Sequence, residues 1–154
     1  MKKKFEENFE YLLYWISLAV IMLLLTCSAV IAQPTRKEVL NYILNHTNII
    51  CPEVVFKQAV METNCGKTGV GATKNNLFGF KLSGSYMYFK TWEESVCYYE
   101  QWQKKRLYKY LEIKPPGDID YYHFLWYIGY NDGKKYGQQG KIYIDKLKNL
   151  SVKL

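Results

Sequence analysis

Two capping boxes set the frame of this chain. Thr35-Arg36-Lys37-Glu38 and Thr91-Trp92-Glu93-Glu94 each put a threonine three residues ahead of a glutamate. In that pattern the threonine oxygen accepts from the first helical turn and the glutamate reaches back to the cap. Apolar residues recur behind the first at helical spacing (Val39, Leu40, Ile43, Leu44), and behind the second a helix runs to about Leu111. Between them, Pro52 suits the first turn of another helix, reaching about Thr63 with Val55, Ala59 and Glu62 on one stripe. Residues 66–76 carry three glycines and read as a loop. Leu77–Leu82 and Tyr86–Lys90 flank Ser83-Gly84-Ser85, a short hairpin. Pro115-Pro116-Gly117 is a break. Asp118 is a cap for a helix carrying Phe124, Leu125, Tyr127 and Ile128. Asn131 to Gly140 is a polar loop, and Ile142 to Leu150 a last amphipathic helix. The expected class is α+β, mainly helical, with the hairpin forming one wall of a cleft.

The first 32 residues read differently. Lys2-Lys3-Lys4 precedes an uncharged run from Tyr11, and Val30-Ile31-Ala32 resembles a small-residue cleavage site. A secretory signal peptide is the preferred reading, although Glu6, Glu7 and Glu10 are unusual in its basic region. An uncleaved anchor is the rival, because Tyr11 to Gln33 is long enough to span a bilayer, which would give membrane contact through residues 11–32. Either reading exports the body of the chain, residues 35–154, as one domain. The leading segment holds three lysines and three glutamates, so the formal charge of +7 belongs to the remainder. A basic exported domain suits an anionic partner. No basic helix or stacking motif accompanies the charge, so nucleic acid is not expected.

Cys51, Cys65 and Cys97 follow the leader. Cys51 and Cys65 bracket one helix and stand roughly 20 Å apart at helical rise, too far to bridge. A disulfide would have to use Cys97, or all three are free. His46 and His123 lie far apart and there is no CxxC, so neither a metal nor another cofactor is expected.

Glu62 ends an otherwise apolar helical run. A carboxylate in such surroundings loses hydration, and its neutral form is favoured. A glutamic acid with a raised pKa is what a glycosidic bond needs to protonate its leaving oxygen near neutral pH. Glu93 and Glu94 need no such role: the first turn of a helix favours acids, and Glu94 completes a cap. Tyr86, Tyr88 and Trp92 are candidates for sugar stacking. Trp92, Tyr99 and Trp102 also fit the buried face of a helix.

Four segments in order resemble the glucosaminidase family of peptidoglycan hydrolases. Ala59 to Thr68 is similar to its Glu-containing motif ending in Gly-Lys-Ser/Thr. Asn75–Lys81 matches its Asn-Asn-Leu-Phe-Gly-Ile-Lys segment almost throughout. Phe89 to Tyr99 resembles its Ser/Thr-Trp-Glu-Glu-Ser helix start, and Gly129-Tyr130 with a later Tyr and Asp-Lys-Leu resembles its ending. The similarity spans about residues 37–150.

The resemblance implies a lysozyme-like fold and cleavage of peptidoglycan glycan strands next to N-acetylglucosamine. It implies Glu62 as general acid. It places Asn75, Asn76, Phe78 and Gly79 in the substrate-binding wall, with the Asn76 amide offered to a sugar N-acetyl group or to the Glu62 loop. Across from the acid it implies Tyr130 with either Tyr143, as a catalytic partner, or Tyr136.

Three departures stand out. Cys65 replaces the usual Trp or Tyr, no carboxylate occurs between Lys81 and Trp92, and the loop Gly133–Lys141 is long. Substrate assistance by the N-acetyl group, water held by a tyrosine, and a lytic transglycosylase reaction therefore all stay open. The competing class is a non-catalytic glycan-binding domain on the same fold.

Overall fold

The computed structural model describes residues 13–18, 33–113, 120–131 and 133–154. The chain divides into two units, residues 1–32 and 33–154. In the first, residues 13–18 are helical. The leader and cleavage-site readings otherwise lie outside the described residues, as do Pro115-Pro116-Gly117 and Asp118. Among the described residues no helix is long and apolar enough to cross a membrane.

The second unit is built from α1 (Arg36–His46), α2 (Pro52–Thr63), α3 (Gly69–Lys74), β1 (Lys81–Leu82), β2 (Ser85–Tyr86), α4 (Trp92–Leu111), α5 (Tyr121–Tyr127) and α6 (Gln138–Asn149). It is a mainly helical α+β arrangement, as the sequence predicts. The first capping box closes in full: the Glu38 N–H donates to Thr35 Oγ1 at 3.2 Å and the Thr35 N–H to Glu38 Oε2 at 2.6 Å. The second closes by half. The Glu94 N–H donates to Thr91 Oγ1, but the Glu94 carboxylate accepts from the Lys90 N–H, one residue before the cap.

Four boundaries differ from the sequence reading. The glycine-rich stretch contains the short helix α3 rather than loop alone. The strands are two residues each, paired antiparallel as Lys81 with Tyr86 and Leu82 with Ser85, so Ser85 belongs to a strand rather than to the turn. Asp120 caps α5, its carboxylate accepting from the His123 N–H. α6 starts four residues before Ile142, which shortens the polar loop ahead of it.

The core gathers Val39 and Ile43 from α1, Val55 and Ala59 from α2, Val96 and Tyr99 from α4, Phe124 and Leu125 from α5, and Leu147 from α6. Leu77, fully buried, joins them from the segment between α3 and β1. Burying such a side chain contributes roughly 1.5–3 kcal/mol, enough to fix this irregular segment against the helices. Arg36 draws the two ends of the unit together. Its guanidinium donates to Asn64 Oδ1 and to the Lys153 carbonyl.

Candidate functional site

A cleft of about 600 Å³ opens over the C-terminal end of α2. Glu62 stands in it. One wall comes from Phe78, Gly79, Phe80 and Lys81, with Tyr86 from β2. The opposite side comes from Trp102 and Arg106 of α4 and from the chain after α5, Ile128 to Asn131 with Gly133. Among the described lining residues Glu62 is the one carboxylate. Asp132 lies outside the described residues.

Glu62 reaches the cleft because Val55 and Ala59, two turns and one turn earlier, hold its stripe of α2 against the core. Burial raises the carboxyl pKa above its ordinary value, and the nearby Tyr143 hydroxyl pulls it part of the way back. Gly79 lets the facing backbone come close: it has φ +66°, and a Cβ there would sit 3.7 Å from Glu62 Oε2.

Behind the carboxylate lies a group of buried polar atoms. Gln58, one turn before Glu62, is fully buried, and its Nε2 has no hydrogen-bond partner. The hydroxyls of Tyr130 and Tyr143 are likewise buried without a partner. The two rings pack 5.2 Å apart. Each phenol is near enough to Glu62 and Gln58 for them to influence its ionisation. Burial first, then the neighbouring charges, hold both phenols well above their ordinary pKa, so they remain protonated donors. Leaving a buried donor or acceptor unmade costs about 1–3 kcal/mol. Three such atoms around one desolvated carboxylate mark a place kept for something other than stability.

Tyr136 is not part of this group. It sits at φ +55° in the loop before α6 and packs on His123, Trp126 and Tyr127, half exposed. Of the two tyrosines the sequence offered, Tyr143 stands beside Glu62, whereas Tyr136 does not line the cleft. α6 carries Tyr143 inward on its buried face with Ile144 and Leu147, whereas Tyr136 precedes the helix.

Asn75 and Asn76 also stand back from the cleft surface. Both are buried, and neither amide faces the cleft. The Asn75 amide donates to the Phe89 and Lys90 carbonyls. Asn76 donates to the Phe80 and Met87 carbonyls at 2.8 and 3.0 Å and accepts from the Phe80 N–H at 2.9 Å. They hold the cleft wall from behind, while Phe78 and Gly79 form its surface.

The aromatic expectations divide. Tyr86 and Trp102 line the cleft, Trp92 packs against Tyr42 elsewhere, Tyr99 is buried, and Tyr88 is exposed away from the cleft. Sequence reasoning missed Gln58, Lys81 and Arg106. The Arg106 guanidinium lies 5.0 Å over the Trp102 ring and the Lys81 ammonium 4.6 Å over Tyr86, so cations flank both aromatic surfaces. The i, i+4 spacing of Trp102 and Arg106 was the available signal, as was that of Gln58 and Glu62.

Glu93 and Glu94 border a different hollow, beside Tyr42 and Cys97. Cys51, Cys65 and Cys97 are free thiols. Cys65 is buried, which pushes its thiol up to about 11, and it offers no surface to the cleft. Among the described residues no three His, Cys, Asp or Glu side chains converge as a metal site would require.

Comparison with known proteins gives one match. The family model of mannosyl-glycoprotein endo-beta-N-acetylglucosaminidase (Glucosaminidase) matches residues 40–149, a span that contains every residue of the cleft. No curated protein and no solved structure matches the chain.

Proposed function

From a chain that belongs to the mannosyl-glycoprotein endo-beta-N-acetylglucosaminidase family, we propose an exported peptidoglycan hydrolase that uses Glu62 as its general acid. The family supports glycoside hydrolysis of the peptidoglycan-hydrolase type. The observation that carries the finer reading is Glu62 itself: a desolvated carboxyl in a cleft, facing a close glycine backbone and backed by two phenols.

In the proposed reaction Glu62, protonated, gives its proton to the glycosidic oxygen as the C–O bond breaks. Tyr86 and Trp102 offer faces to the sugar rings. The hydroxyls of Tyr130 and Tyr143 donate to the substrate acetamido group or to the attacking water. The water oxygen bonds the anomeric carbon, and its proton returns to the Glu62 carboxylate. The charge on Lys81 and Arg106 favours a glycan that bears acidic stem peptides over a neutral one.

The test is to incubate the full chain with purified peptidoglycan and identify the new sugar ends by mass spectrometry. Reducing N-acetylglucosamine ends are expected. Anhydro ends would make the protein a lytic transglycosylase, and no new ends would make it a glycan-binding domain.

A further inference from the structure

A chain of buried hydrogen bonds runs behind the cleft. It starts at the backbone of Ile50, whose N–H donates to Gln103 Oε1 at 2.8 Å and whose carbonyl accepts from Gln103 Nε2 at 2.9 Å. That double contact settles which end of the Gln103 amide is nitrogen. The remaining N–H of Gln103 donates to Tyr121 Oη at 2.7 Å. Tyr121 Oη lies 2.8 Å from Tyr99 Oη, and Tyr99 Oη lies 2.6 Å from Gln58 Oε1.

Proton counting gives the chain one direction. Tyr121 already accepts from Gln103, so its single proton goes to Tyr99. Tyr99 then accepts from Tyr121, and its proton goes to Gln58 Oε1. If the Gln58 amide were reversed, Tyr99 would have to donate towards Tyr121, and the Tyr121 proton would face no acceptor. Gln58 Oε1 therefore faces Tyr99, and Nε2 faces the other way. On that side stand Tyr130 and Tyr143, each near enough to feel the amide.

We propose that Gln58 is a positioning residue. Its amide, pinned by Tyr99, presents only N–H donors to the phenol oxygens of Tyr130 and Tyr143, so their protons are left for Glu62 and the substrate. The inference rests on the reading of Glu62 as the acid. It adds a group that touches no substrate and acts through the two phenols. Successive hydrogen bonds in a low-dielectric interior also polarise one another, which strengthens the last donors.

Tyr99→Phe separates this arrangement from simple packing. It keeps the ring but frees the Gln58 amide to turn Oε1 towards the phenols and compete for their protons. Glu62 then loses a donor to its charged form, and its pKa moves further up. The groups facing Glu62 are Tyr130 and Tyr143, with Lys81 and Arg106 at the cleft rim, and the variant changes none of them.

Two measurements are made on the full chain. Carbon-13 NMR of the Glu62 carboxyl should give a titration midpoint about half a pH unit or more above wild type. Kinetics on peptidoglycan should show kcat about tenfold lower with KM within about twofold, as expected when orientation and not binding is lost. An unchanged midpoint in folded Tyr99→Phe overturns the proposal whether or not the protein is an enzyme. Inactivity of the wild type overturns the proposed function alone, since the NMR arm needs no turnover. Should Tyr99→Phe not fold, Gln58→Met tests the same prediction: without the amide N–H donors one phenol oxygen is free to take the proton of its neighbour, so Glu62 again loses a donor and the midpoint should rise. An unchanged midpoint there is equally fatal.

Discussion

Two buried polar regions lie side by side in this protein and are built on opposite terms. Around Asn75 and Asn76 every side-chain amide bond described is closed onto backbone, and Thr63 and Ser95 continue the pattern: Thr63 Oγ1 donates to the Leu77 carbonyl, and the Leu77 N–H donates to Ser95 Oγ. Around Glu62 the amide nitrogen of Gln58 and the hydroxyls of Tyr130 and Tyr143 are buried and left open. Both regions carry polar residues in family-like motifs. The first converts its polar atoms into shape, and the second keeps them for a reacting group. A satisfied buried amide belongs to the scaffold, and an unsatisfied one points to the site.

The sharpest way to break this contrast is Glu62→Gln. Activity on peptidoglycan should fall by at least about 10², the usual worth of general acid catalysis. The thermal midpoint at neutral pH should hold or rise, because burial raises the carboxyl pKa in the folded state. A group raised in this way leaves the fold most stable below its unfolded pKa, and stability declines as pH rises through the folded value. The glutamine removes that loss. A less stable variant with retained turnover would put Glu62 on the scaffold side.

Asn76→Ala should do the reverse. It removes three hydrogen bonds to the backbone beside the hairpin and strands the Met87 carbonyl and the Phe80 N–H, while the Phe80 carbonyl keeps the Met87 N–H, so denaturant unfolding should show a loss of about 2–4 kcal/mol. Whatever activity falls should fall with the folded fraction. Full stability with lost activity would return Asn76 to the substrate.

Smaller effects sharpen the line between the tyrosines. Tyr143→Phe and Tyr130→Phe should each lower kcat by about tenfold without loss of stability, since neither hydroxyl closes a hydrogen bond onto the scaffold. Tyr136→Phe, outside the cleft, should change neither quantity. Equal behaviour of all three in the peptidoglycan assay would dissolve the distinction.

The pH profile offers the mildest test. Glu62 must be protonated to act, so activity should decline as pH rises through its raised pKa, placing the alkaline limb above the ordinary carboxylate range. In Tyr143→Phe that limb should move higher still, because the hydroxyl that lowers the Glu62 pKa is gone.

Local chemistry made much of this legible in advance. Thr35 and Thr91 mark their helix starts because a cap is satisfied within four residues of sequence. Pro52 opens α2, and the period of Val55, Ala59 and Glu62 gives Glu62 its face. The hairpin and the mainly helical class follow from the same short-range signals. Periodicity states which way a side chain points but not what comes to meet it. Asn76 and Tyr136 look like cleft residues in sequence, yet one closes bonds across the hairpin and the other packs against α5. Gln58, Trp102 and Arg106 look like ordinary helix residues until α2, α4 and the chain after α5 converge. The sequence by itself determined the helices, the hairpin and the placement of one carboxyl at the end of an apolar stripe, because those depend on neighbours along the chain. Only the tertiary structure decided which tyrosines stand behind Glu62 and which amides are closed or open, because burial and hydrogen-bond completion depend on partners dozens of residues away.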